Sequence, residues 1–582
     1  MKPHPLTVLK FGGSVLTAED RIPVVVQEIY DWVRNGSHVV AVVSAIGSAT
    51  DDLLRQGSRY GEALPPGAVA CLVATGEAAS ASLLTLALHQ AGMPATLLES
   101  AVIRLRTRGP ATDATPVSLD ARRIRAALRH TSVVVVPGFT GCDAVSGCTT
   151  LLGRGGSDLT ALFLARHLGA DVCRLVKDVP GLYERDPALP GPPPRRYLSL
   201  GWNDALALGG GVVQPKALEY ARQEGLGFEV ASVGPDTPTR VQAGPRRLAL
   251  ARLETPLRRV ALVGLGVVGR GVYDALRLRP DRFDIVGALV QRPDHHAAAG
   301  VPRDLLTTNP RVLLAREPDV IVEASCGVSP SAGIVRAAIA RGCDVVTANK
   351  ALIVTDGPSL EALAATTGGR LRYSACVGGA VPVVEQVRTL AAQGPIRSIA
   401  GVVNGTSNFV LDRLEAGDDI DTAVKEAQRM GFAERDPTCD LDGTDAALKL
   451  IILAREAFGV HLVLNGVRRE GIDSYTPALV RRAEATACRV RMVASLRRRG
   501  HHVDAAVTLV TLDGRHYLAG ARNEENRVVI VPESGAPVRL AGKGAGRRPT
   551  ATAVVADVIE LDRDALVAHA NATADESVQE VA

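Results

Sequence analysis

The sequence is poor in aromatic residues and carries little net charge. Phe, Trp and Tyr make up 3% of the 582 residues, and 66 Lys and Arg face 62 Asp and Glu, which leaves a net charge of +4. So few rings do not favour a surface that stacks bases, and so weak a field does not favour nucleic acid or an anionic membrane. We therefore expect small molecules as partners, with neither nucleic acid nor a membrane among them.

Cysteine pairs and export signals are also missing. The nine Cys include no C-x-x-C pair, so neither a zinc site nor a disulfide framework is indicated. Lys10 and the glycines behind it interrupt the apolar run near the N-terminus, which argues against a signal peptide. The nearly uncharged residues 131–153 contain Pro137 and Asp143, which argues against a membrane span. A cytoplasmic enzyme with reduced thiols is expected.

The sequence does contain enough apolar material for several cores. Apolar residues make up 46% of the chain, and at roughly 150 residues per domain the length suggests about four folding units. Strand-like apolar runs alternate with helical patterns twice, which is typical of βα repeats around a mostly parallel sheet. The predicted fold class is α/β. Two α/β units are expected, and the family resemblances carried by the motifs described below imply an open, mostly parallel sheet between helices for the first and a Rossmann dinucleotide-binding domain with an α+β substrate and dimerisation domain for the second.

The predicted boundaries follow a break in this pattern. A segment rich in Pro, Gly and Arg, without an apolar period, precedes a new strand at Arg258. The predicted parts are a first catalytic domain over 1–242, a linker over 243–257, and a second half over 258–582. The second half is divided into a nucleotide-binding part over about 258–390, a substrate and dimerisation part over about 391–561, and a fraying tail over 562–582.

The strand that ends at Val263 runs into a glycine-rich turn, and helical spacing resumes after it. The turn has the form G-x-G-x-x-G and reads Gly264-Leu265-Gly266-Val267-Val268-Gly269. Its first glycine permits a tight turn, its second lets backbone N–H groups approach a pyrophosphate, and its third allows close helix packing. A dinucleotide site is predicted, and an ordinary glycine-rich turn is the alternative.

The next strand, Phe283 to Val290, ends in Gln291 and Arg292 rather than in an acid. A guanidinium at this point can bind a ribose 2'-phosphate, which mildly favours NADP over NAD. A solvated surface arginine explains Arg292 equally well.

Five acids crowd the segment 431–445, and Lys449 follows Asp445 by four residues in a helical pattern. That spacing puts the two side chains on one face of a helix. Such a cluster can hold a substrate ammonium on carboxylates while a lysine serves the reacting oxygen. A solvated loop beside a surface ion pair is the alternative.

Two glycine-rich loops in the first half suggest phosphate. Lys10 lies at a strand end before Gly12 and Gly13, where an ammonium can neutralise a transferred phosphoryl group. Gly153-Arg154-Gly155-Gly156-Ser157-Asp158 opens a helix, and a helix start with an arginine favours an anion. A surface lysine and a capped loop with a solvated arginine are the alternatives.

Six ordered motifs cover residues 258–561. They are the glycine turn, Thr347-Ala348-Asn349-Lys350, Val377-Gly378-Gly379-Ala380-Val381-Pro382, Asn404-Gly405-Thr406-Ser407-Asn408-Phe409, the acid cluster with Lys449, and Gly542-Lys543-Gly544-Ala545-Gly546. Together they resemble the homoserine dehydrogenases. The resemblance implies reduction of aspartate 4-semialdehyde to homoserine by NAD(P)H.

The resemblance also implies roles for single residues. It places Lys350 and Lys449 at the reacting oxygen, and we expect Lys449 to be the principal acid and Lys350 a positioning or relay group. Two close lysines are expected to lower each other's pKa. Further implied roles are substrate binding by Glu434, Asp440 and Asp445, a place near the nicotinamide for Thr406, Gly544, Ala545 and Gly546, and Na⁺ or K⁺ binding by the backbone carbonyls of Val377, Gly379 and Val381, where Ser374 replaces a glutamate frequent in the family.

The first half carries further motifs, which are Ser44-Ala45-Ile46, Thr50-Asp51-Asp52, Thr75-Gly76-Glu77 and Lys177-Asp178-Val179-Pro180-Gly181-Leu182-Tyr183. With the two glycine loops they resemble the aspartate kinases of the amino-acid kinase fold, from about Leu6 to Val241. The resemblance implies Mg-ATP phosphorylation of the aspartate side chain. The implied roles are phosphoryl stabilisation by Lys10 beside Gly12 and Gly13, α-carboxylate binding by Arg154, α-amine binding by Glu77, completion of the substrate pocket by Ser44, Thr50 and Asp158, and nucleotide contact by Asp178 and Tyr183.

Two departures from the kinase pattern put phosphoryl transfer in question. A lysine of the family is replaced by Gly211 and an arginine by Ala188, and both cations would neutralise phosphate charge. Lys177, Arg185, Arg195 or Lys216 are candidate replacements. The alternative is a kinase-like module that binds ligand or supports assembly without turnover.

The order of the two halves is that of the fused kinase-dehydrogenases of threonine and methionine biosynthesis. Those enzymes hold regulatory domains between the halves, and residues 242–257 are too few for one. We therefore predict no threonine or lysine inhibition through such domains, and a homodimer or higher homo-oligomer formed through the second half. Action of both halves on related amino acids in a specialised pathway remains an alternative.

Overall fold

The computed structural model describes residues 4–61, 63–234, 237–249, 257–325, 327–475, 487–500 and 502–579. The chain divides into two compact units. The first unit comprises Met1–Gln90, Pro94–Thr255 and Arg563–Ala582, and the second comprises Ala91–Met93 and Pro256–Asp562.

The first unit is an α/β unit of thirteen described strands and seven described α-helices. The strands are β1 (Leu6–Phe11), β2 (His38–Val43), β3 (Ala95–Leu97), β4 (Arg106–Arg108), β5 (Thr115–Ser118), β6 (Val133–Pro137), β7 (Thr140–Asp143), β8 (Thr149–Leu151), β9 (Val172–Val176), β10 (Tyr197–Leu200), β11 (Phe228–Ala231), β12 (Thr239–Val241) and β13 (Arg247–Leu248). The helices are α1 (Ile22–Arg34), α2 (Ala49–Ser58), α3 (Pro66–Gln90), α4 (Ala121–Ala127), α5 (Gly156–Leu168), α6 (Trp202–Ala207) and α7 (Pro215–Gln223).

Nine strands form the main sheet of this unit, in the order β13-β10-β12-β11-β9-β1-β2-β6-β3. β1 lies beside the central strand β9 and pairs in parallel with β2 and β9, and the side chains of all three are mostly buried. Continuous apolar runs of this kind are typical of strands covered on both faces. β1, β2 and β9 therefore lie in the covered interior of the sheet, as the predicted alternation of apolar runs and helical patterns implies.

One sequence-based expectation, the linker over 243–257, differs from this structure. β13 lies inside the predicted linker and pairs with β10, so the first sheet continues past residue 242, while residues 250–256 lie outside the described part. Residues 131–153 form β6, β7 and β8. One described helix, α3, is long and apolar enough to cross a membrane by length and composition alone, and it packs against β3, β6 and β8.

The second unit holds two six-stranded sheets. Its strands are β14 (Arg258–Val263), β15 (Phe283–Leu289), β16 (Leu306–Thr307), β17 (Val320–Glu323), β18 (Asp344–Thr347), β19 (Leu371–Arg372), β20 (Ile396–Val402), β21 (Arg468–Arg469), β22 (Cys488–Arg499), β23 (His502–Asp513), β24 (Glu525–Pro532) and β25 (Val538–Lys543). Its helices are α8 (Val267–Leu276), α9 (Pro293–Ala298), α10 (Pro310–Leu314), α11 (Ser331–Ile339), α12 (Lys350–Thr367), α13 (Val383–Gln393), α14 (Gly405–Glu415), α15 (Ile420–Arg429), α16 (Thr438–Leu441), α17 (Thr444–Phe458) and the helix α18 (Arg547–Gln579), which continues beyond the unit.

The first of these sheets is entirely parallel, in the order β16-β15-β14-β17-β18-β19. The second sheet has the order β21-β23-β22-β20-β24-β25 and is antiparallel except where β21 meets β23. A parallel sheet followed by an α+β layer is the predicted Rossmann arrangement with its second domain. In the predicted tail, α18 continues to Gln579.

The turn after β25 is closed against a buried side chain. Asn526 is fully buried, and a Cβ built on Gly544 would lie 1.8 Å from its Nδ2. A Cβ on Gly333, in α11, would meet no atom within 4 Å. Asn526 therefore leaves no room for a side chain at Gly544. Gly333 has room for one, and its main effect is to raise the conformational entropy of the unfolded chain.

We predict that these two glycines respond oppositely to alanine. Gly544→Ala should destabilise the second unit by about 1–3 kcal/mol because of overpacking. Gly333→Ala should stabilise it by about 0.5–1 kcal/mol. Calorimetric melting of the full chain measures both, and equal melting temperatures for the two variants would contradict the prediction.

Candidate functional site

Lys350 is held at the carboxyl edge of the parallel sheet. It begins α12 directly after β18, where Asn349 caps the helix by accepting a hydrogen bond from the Leu352 amide at 3.1 Å. The Nδ2 group of Asn349 also donates to the Gly327 carbonyl at 2.6 Å. A capped helix start tied to a neighbouring loop fixes where the lysine points.

Asp445 joins Lys350 to Lys449. Its Oδ1 lies 3.1 Å from the Lys350 ammonium and its Oδ2 lies 2.6 Å from the Lys449 ammonium, on the same face of α17, as the spacing predicts. Burial would raise the pKa of Asp445, but the two ammonium groups outweigh it and hold that pKa well below its usual range. Asp445 is therefore an ionised bridge between two cations.

The Asp445 bridge reverses the pKa shift that was expected for Lys350. The negative charge of Asp445 raises the pKa of Lys350, against the opposing effect of burial. The carboxylate between the lysines thus has a larger effect on Lys350 than their mutual repulsion, and the expectation of a lowered pKa is wrong for this residue.

Asn404 orients the acids around the lysines. Its Nδ2 group donates to Asp440 at 2.7 Å and to Asp445 at 2.8 Å, while its Oδ1 accepts from the Ser407 amide as the cap of α14. Burial raises the pKa of Asp440, and Asp445 adds to that effect while Asn404 opposes it. The role of Asn404 was not predicted from the sequence, although an asparagine at a strand end before a helix is a capping signal.

Other predicted residues of this half lie around that cluster. Lys449 donates to the Val403 carbonyl at 2.6 Å, and Thr406 donates to the Phe432 carbonyl at 2.6 Å. The carboxylate of Glu434 is exposed and makes no hydrogen bond or ion pair with any residue that the structure describes. The structure brings Asp440, Asp445, Lys350 and Lys449 together, and it does not bring Glu434 into contact with them.

The glycine turn leaves room for a ligand in front of α8. Gly264 has a φ of 91°, and a Cβ on Gly269 would lie 2.0 Å from the Gly264 carbonyl oxygen. A Cβ on Gly266 would meet no atom within 4 Å, and Val267 beside it is 67% exposed. An open cradle at a ten-residue helix start fits a dinucleotide pyrophosphate. Val268 follows in the same turn, and Arg292 is exposed directly before α9.

The carbonyls predicted to bind a monovalent cation lie on one loop. The Val381 carbonyl accepts from the Val383 amide at 2.7 Å, and a Cβ on Gly379 would lie 2.8 Å from the carbonyl carbon of Gly544, which precedes Ala545 and Gly546. Ser374 stands three residues before Val377, and its amide donates to the buried carboxylate of Asp557 at 3.1 Å. Within the described residues, no group of three or more His, Cys, Asp or Glu could hold a metal ion.

The first unit has a cavity of about 860 Å³ at the carboxyl ends of β1 and β9. Nine predicted site residues line it: Lys10, Gly12, Gly13, Ser44, Thr50, Glu77, Arg154, Asp158 and Asp178. Tyr183 does not line it, and its backbone pairs with Arg196. Gly211 lines the cavity without a side chain, and Ala188 lies in an exposed loop away from it.

Asp158 holds two lysines in this cavity. The carboxylate is 3% exposed, and its oxygens lie 2.8 Å from the ammonium groups of Lys10 and Lys177. Burial would raise the pKa of Asp158, but the two cations lower it. Burial and then Lys10 lower the pKa of Lys177. The sequence analysis named Lys177 only as one of several replacement cations.

Glu77 faces the cavity from the middle of α3. Its side chain is 2% exposed, and its Oε2 has no hydrogen-bond partner among the described residues. Burial raises the pKa of Glu77 to about 8, against a hydrogen bond from the Ala45 backbone and the charge of Lys10. This carboxyl group is therefore largely protonated at neutral pH and lacks an internal cation of its own.

Comparison with known proteins gives the family. Family models match residues 5–231 (amino acid kinase family), 264–374 (homoserine dehydrogenase, NAD binding domain) and 382–559 (homoserine dehydrogenase). The homoserine dehydrogenase of Mycobacterium bovis is 35% identical over 321 residues, which cover 52% of this chain and 72% of that protein. The Bacillus subtilis homoserine dehydrogenase is 32% identical over 313 residues, with the same two coverages.

A solved structure agrees with these sequence relatives. The crystal structure of a homoserine dehydrogenase from Thiobacillus denitrificans is 36% identical with a TM-score of 0.50, and the match covers 53% of this chain and 74% of that one. The order of matched domains is that of a fused aspartate kinase and homoserine dehydrogenase. The chain belongs to the homoserine dehydrogenase family, and it carries an amino acid kinase domain before its NAD-binding and dehydrogenase domains.

Proposed function

We propose that the second half reduces aspartate 4-semialdehyde to homoserine with NADPH. The observation that carries this proposal is the ionised Asp445 between Lys350 and Lys449, close to the carboxyl edge where the dinucleotide cradle lies. When bound, the reduced nicotinamide supplies a hydride. Lys449 donates the proton that the developing alkoxide oxygen needs, and Lys350 holds that oxygen by its fixed positive charge.

The substrate ammonium is proposed to bind Asp440, with Glu434 closing over it from the exposed loop. A carboxyl group whose pKa burial has raised gains most from a new cation, because that cation restores its ionised form. Asn404 donates to both carboxylates and so fixes their orientations. Asp440 is then available to the substrate, and Asp445 to the two lysines. Thr406 and the turn at Gly544 are proposed to border the nicotinamide.

We also propose that the first half phosphorylates the side chain of aspartate with Mg-ATP. The support is that one cavity gathers Lys10, Arg154, Glu77 and Asp158 from separate parts of the sequence. Several glycines also line it, and glycine-rich loops can present backbone N–H groups to phosphate. Gly211 supplies no cation to the cavity wall, and this lack favours the alternative, a kinase-like module that binds ligand without turnover.

Several finer proposals rest on the family resemblance. They are a cytoplasmic location, a homodimer or higher homo-oligomer, a place in threonine, methionine and lysine biosynthesis, and a Na⁺ or K⁺ ion on the carbonyls of Val377, Gly379 and Val381. The preference for NADPH over NADH rests in addition on Arg292, which stands where an acid would accept a ribose hydroxyl.

The dehydrogenase proposal predicts a specific pattern of rates. The purified chain should oxidise NADPH faster than NADH with aspartate 4-semialdehyde, and Arg292→Ala should narrow the difference between the two rates.

Lys449→Ala should lower kcat by about 10²–10⁴-fold, the usual contribution of a general acid. Lys425→Ala, an exposed lysine of α15, is the matched control and should leave kcat unchanged. Full turnover by Lys449→Ala would contradict the assignment.

The Asp445 bridge predicts how Lys350 titrates. Asp445→Asn removes the charge that raises the pKa of Lys350, so the lysine should lose its proton at lower pH than in the wild type. The rate at which an amine-reactive reagent labels Lys350, followed by mass spectrometry across pH, measures this shift. Asp421→Asn, an exposed acid of α15, is the control. Superimposable labelling curves for wild type and Asp445→Asn would exclude the bridge in solution.

Glu77 predicts a pH dependence for aspartate binding. Since its pKa is about 8 in the free protein, a substrate ammonium must displace the proton of Glu77 below that pH. The KM for aspartate should therefore fall as pH rises from about 6.5 to 8, by at most about tenfold per unit, and level off above. Kinase rates measured by trapping the acyl phosphate with hydroxylamine test this. Glu77→Gln should abolish the slope, and a wild-type KM independent of pH would refute the role of Glu77.

A further inference from the structure

Lys177 and Lys10 reach the same carboxylate from neighbouring strands. β1 and β9 run in parallel with Lys10 opposite Leu175, and Lys177 follows directly after β9. The two side chains are 7% and 10% exposed, and both line the cavity. Their shared partner is Asp158, in the first turn of α5.

The cluster has more positive than negative charge. When both lysines are protonated, their two ammonium groups against the one carboxylate of Asp158 leave one unmatched positive charge, and burial and then Lys10 lower the pKa of Lys177 accordingly. Glu77 supplies little compensation at neutral pH because burial raises its pKa to about 8, and Asp178 beside Lys177 is exposed to solvent. A buried surplus charge is costly unless an anion meets it. The cavity is where an anion can enter.

The other candidate cations are already engaged. The Lys216 ammonium donates to Asp113 at 2.6 Å, to the Ala114 carbonyl at 3.0 Å and to the Leu152 carbonyl at 2.8 Å, which uses its three donors. Arg185 donates to the Pro190 and Pro192 carbonyls, and Arg195 pairs with Glu184. None of the three lines the cavity.

We propose that Lys177 is the second phosphoryl-binding cation of the first half and does the work that no side chain at Gly211 can do. This inference rests on the kinase function proposed above. In the reaction, an oxygen of the aspartate side-chain carboxylate forms a bond to the γ-phosphorus. The bond from that phosphorus to the bridging oxygen breaks, and its electron pair leaves with ADP. No proton is transferred, so charge neutralisation is the main contribution that the protein can make.

Gly211 offers a direct way to test this assignment. It lines the same cavity, and a Cβ built on it would meet no atom within 4 Å. A lysine introduced there therefore has space for its side chain and would bring a further ammonium group to the cavity.

The experiment compares Lys177→Met, Lys177→Met with Gly211→Lys, and wild type, all as full chains. Lys177→Met should lower the kcat of acyl phosphate formation by about 10²–10³-fold, with little change in the KM for aspartate. Gly211→Lys on that background should restore at least about tenfold of the loss, because the charge rather than its origin matters. The dehydrogenase activity of each preparation should stay at the wild-type level and serves as the folding control.

The outcomes separate the two proposals. A wild-type chain that forms acyl phosphate and a Lys177→Met variant with an unchanged kcat overturn the role of Lys177 and leave the kinase function intact. A loss that Gly211→Lys does not restore assigns Lys177 to the support of Asp158 and also overturns the inference. A wild-type chain that forms no acyl phosphate overturns the kinase function.

In that last case, calorimetric binding of ADP, Mg²⁺ and aluminium fluoride, a phosphoryl mimic that needs no turnover, still decides the point. Binding weakened at least about tenfold by Lys177→Met supports a phosphoryl-binding cation. Binding that is equal in both proteins overturns it.

Discussion

A buried carboxylate shared by two lysines is the interaction on which each half of this protein depends. Asp445 joins Lys350 and Lys449 in the dehydrogenase unit, and Asp158 joins Lys10 and Lys177 in the kinase-like unit. Removing a charge from water is costly, and two ammonium groups side by side would repel each other. The carboxylate makes their proximity tolerable and holds both side chains where an incoming anionic oxygen can meet them. Both proposed reactions place negative charge on oxygen, and both sites offer it the same arrangement of two lysines on one carboxylate.

The folds deliver these clusters by the same rule, because each site lies where parallel strands end. Lys350 follows β18, Lys177 follows β9, and Lys10 stands near the end of β1, so the parallel strands bring these cations to the carboxyl edges of their sheets. The acids arrive differently. Asp158 and Asp445 both lie in the first turn of a helix, where the backbone dipole favours a negative charge and helps to keep it ionised.

Local patterns were enough to predict part of this arrangement. The glycine turn at Gly264 and the four-residue spacing of Asp445 and Lys449 depend on neighbours in sequence, and both appear in the structure as expected. The partnership of Lys10 with Asp158 spans about 150 residues, and only strand order and register bring the two together. The direction of the Lys350 pKa shift could not be predicted from the sequence. It depends on how close the Asp445 carboxylate lies to Lys350 compared with Lys449, and only the structure gives that distance. Asn404 was missed because its capping signal concealed its second contact. β13 was missed because two residues are too few to show a period.

The uncompensated charge around Asp158 has a practical consequence. A largely buried cavity wall with one surplus positive charge attracts small oxyanions in general, whatever ligand the site prefers. Sulfate or phosphate in a buffer would therefore compete with a nucleotide for the same place. The counter-ion chosen for purification thus becomes part of any measurement made on this half of the molecule.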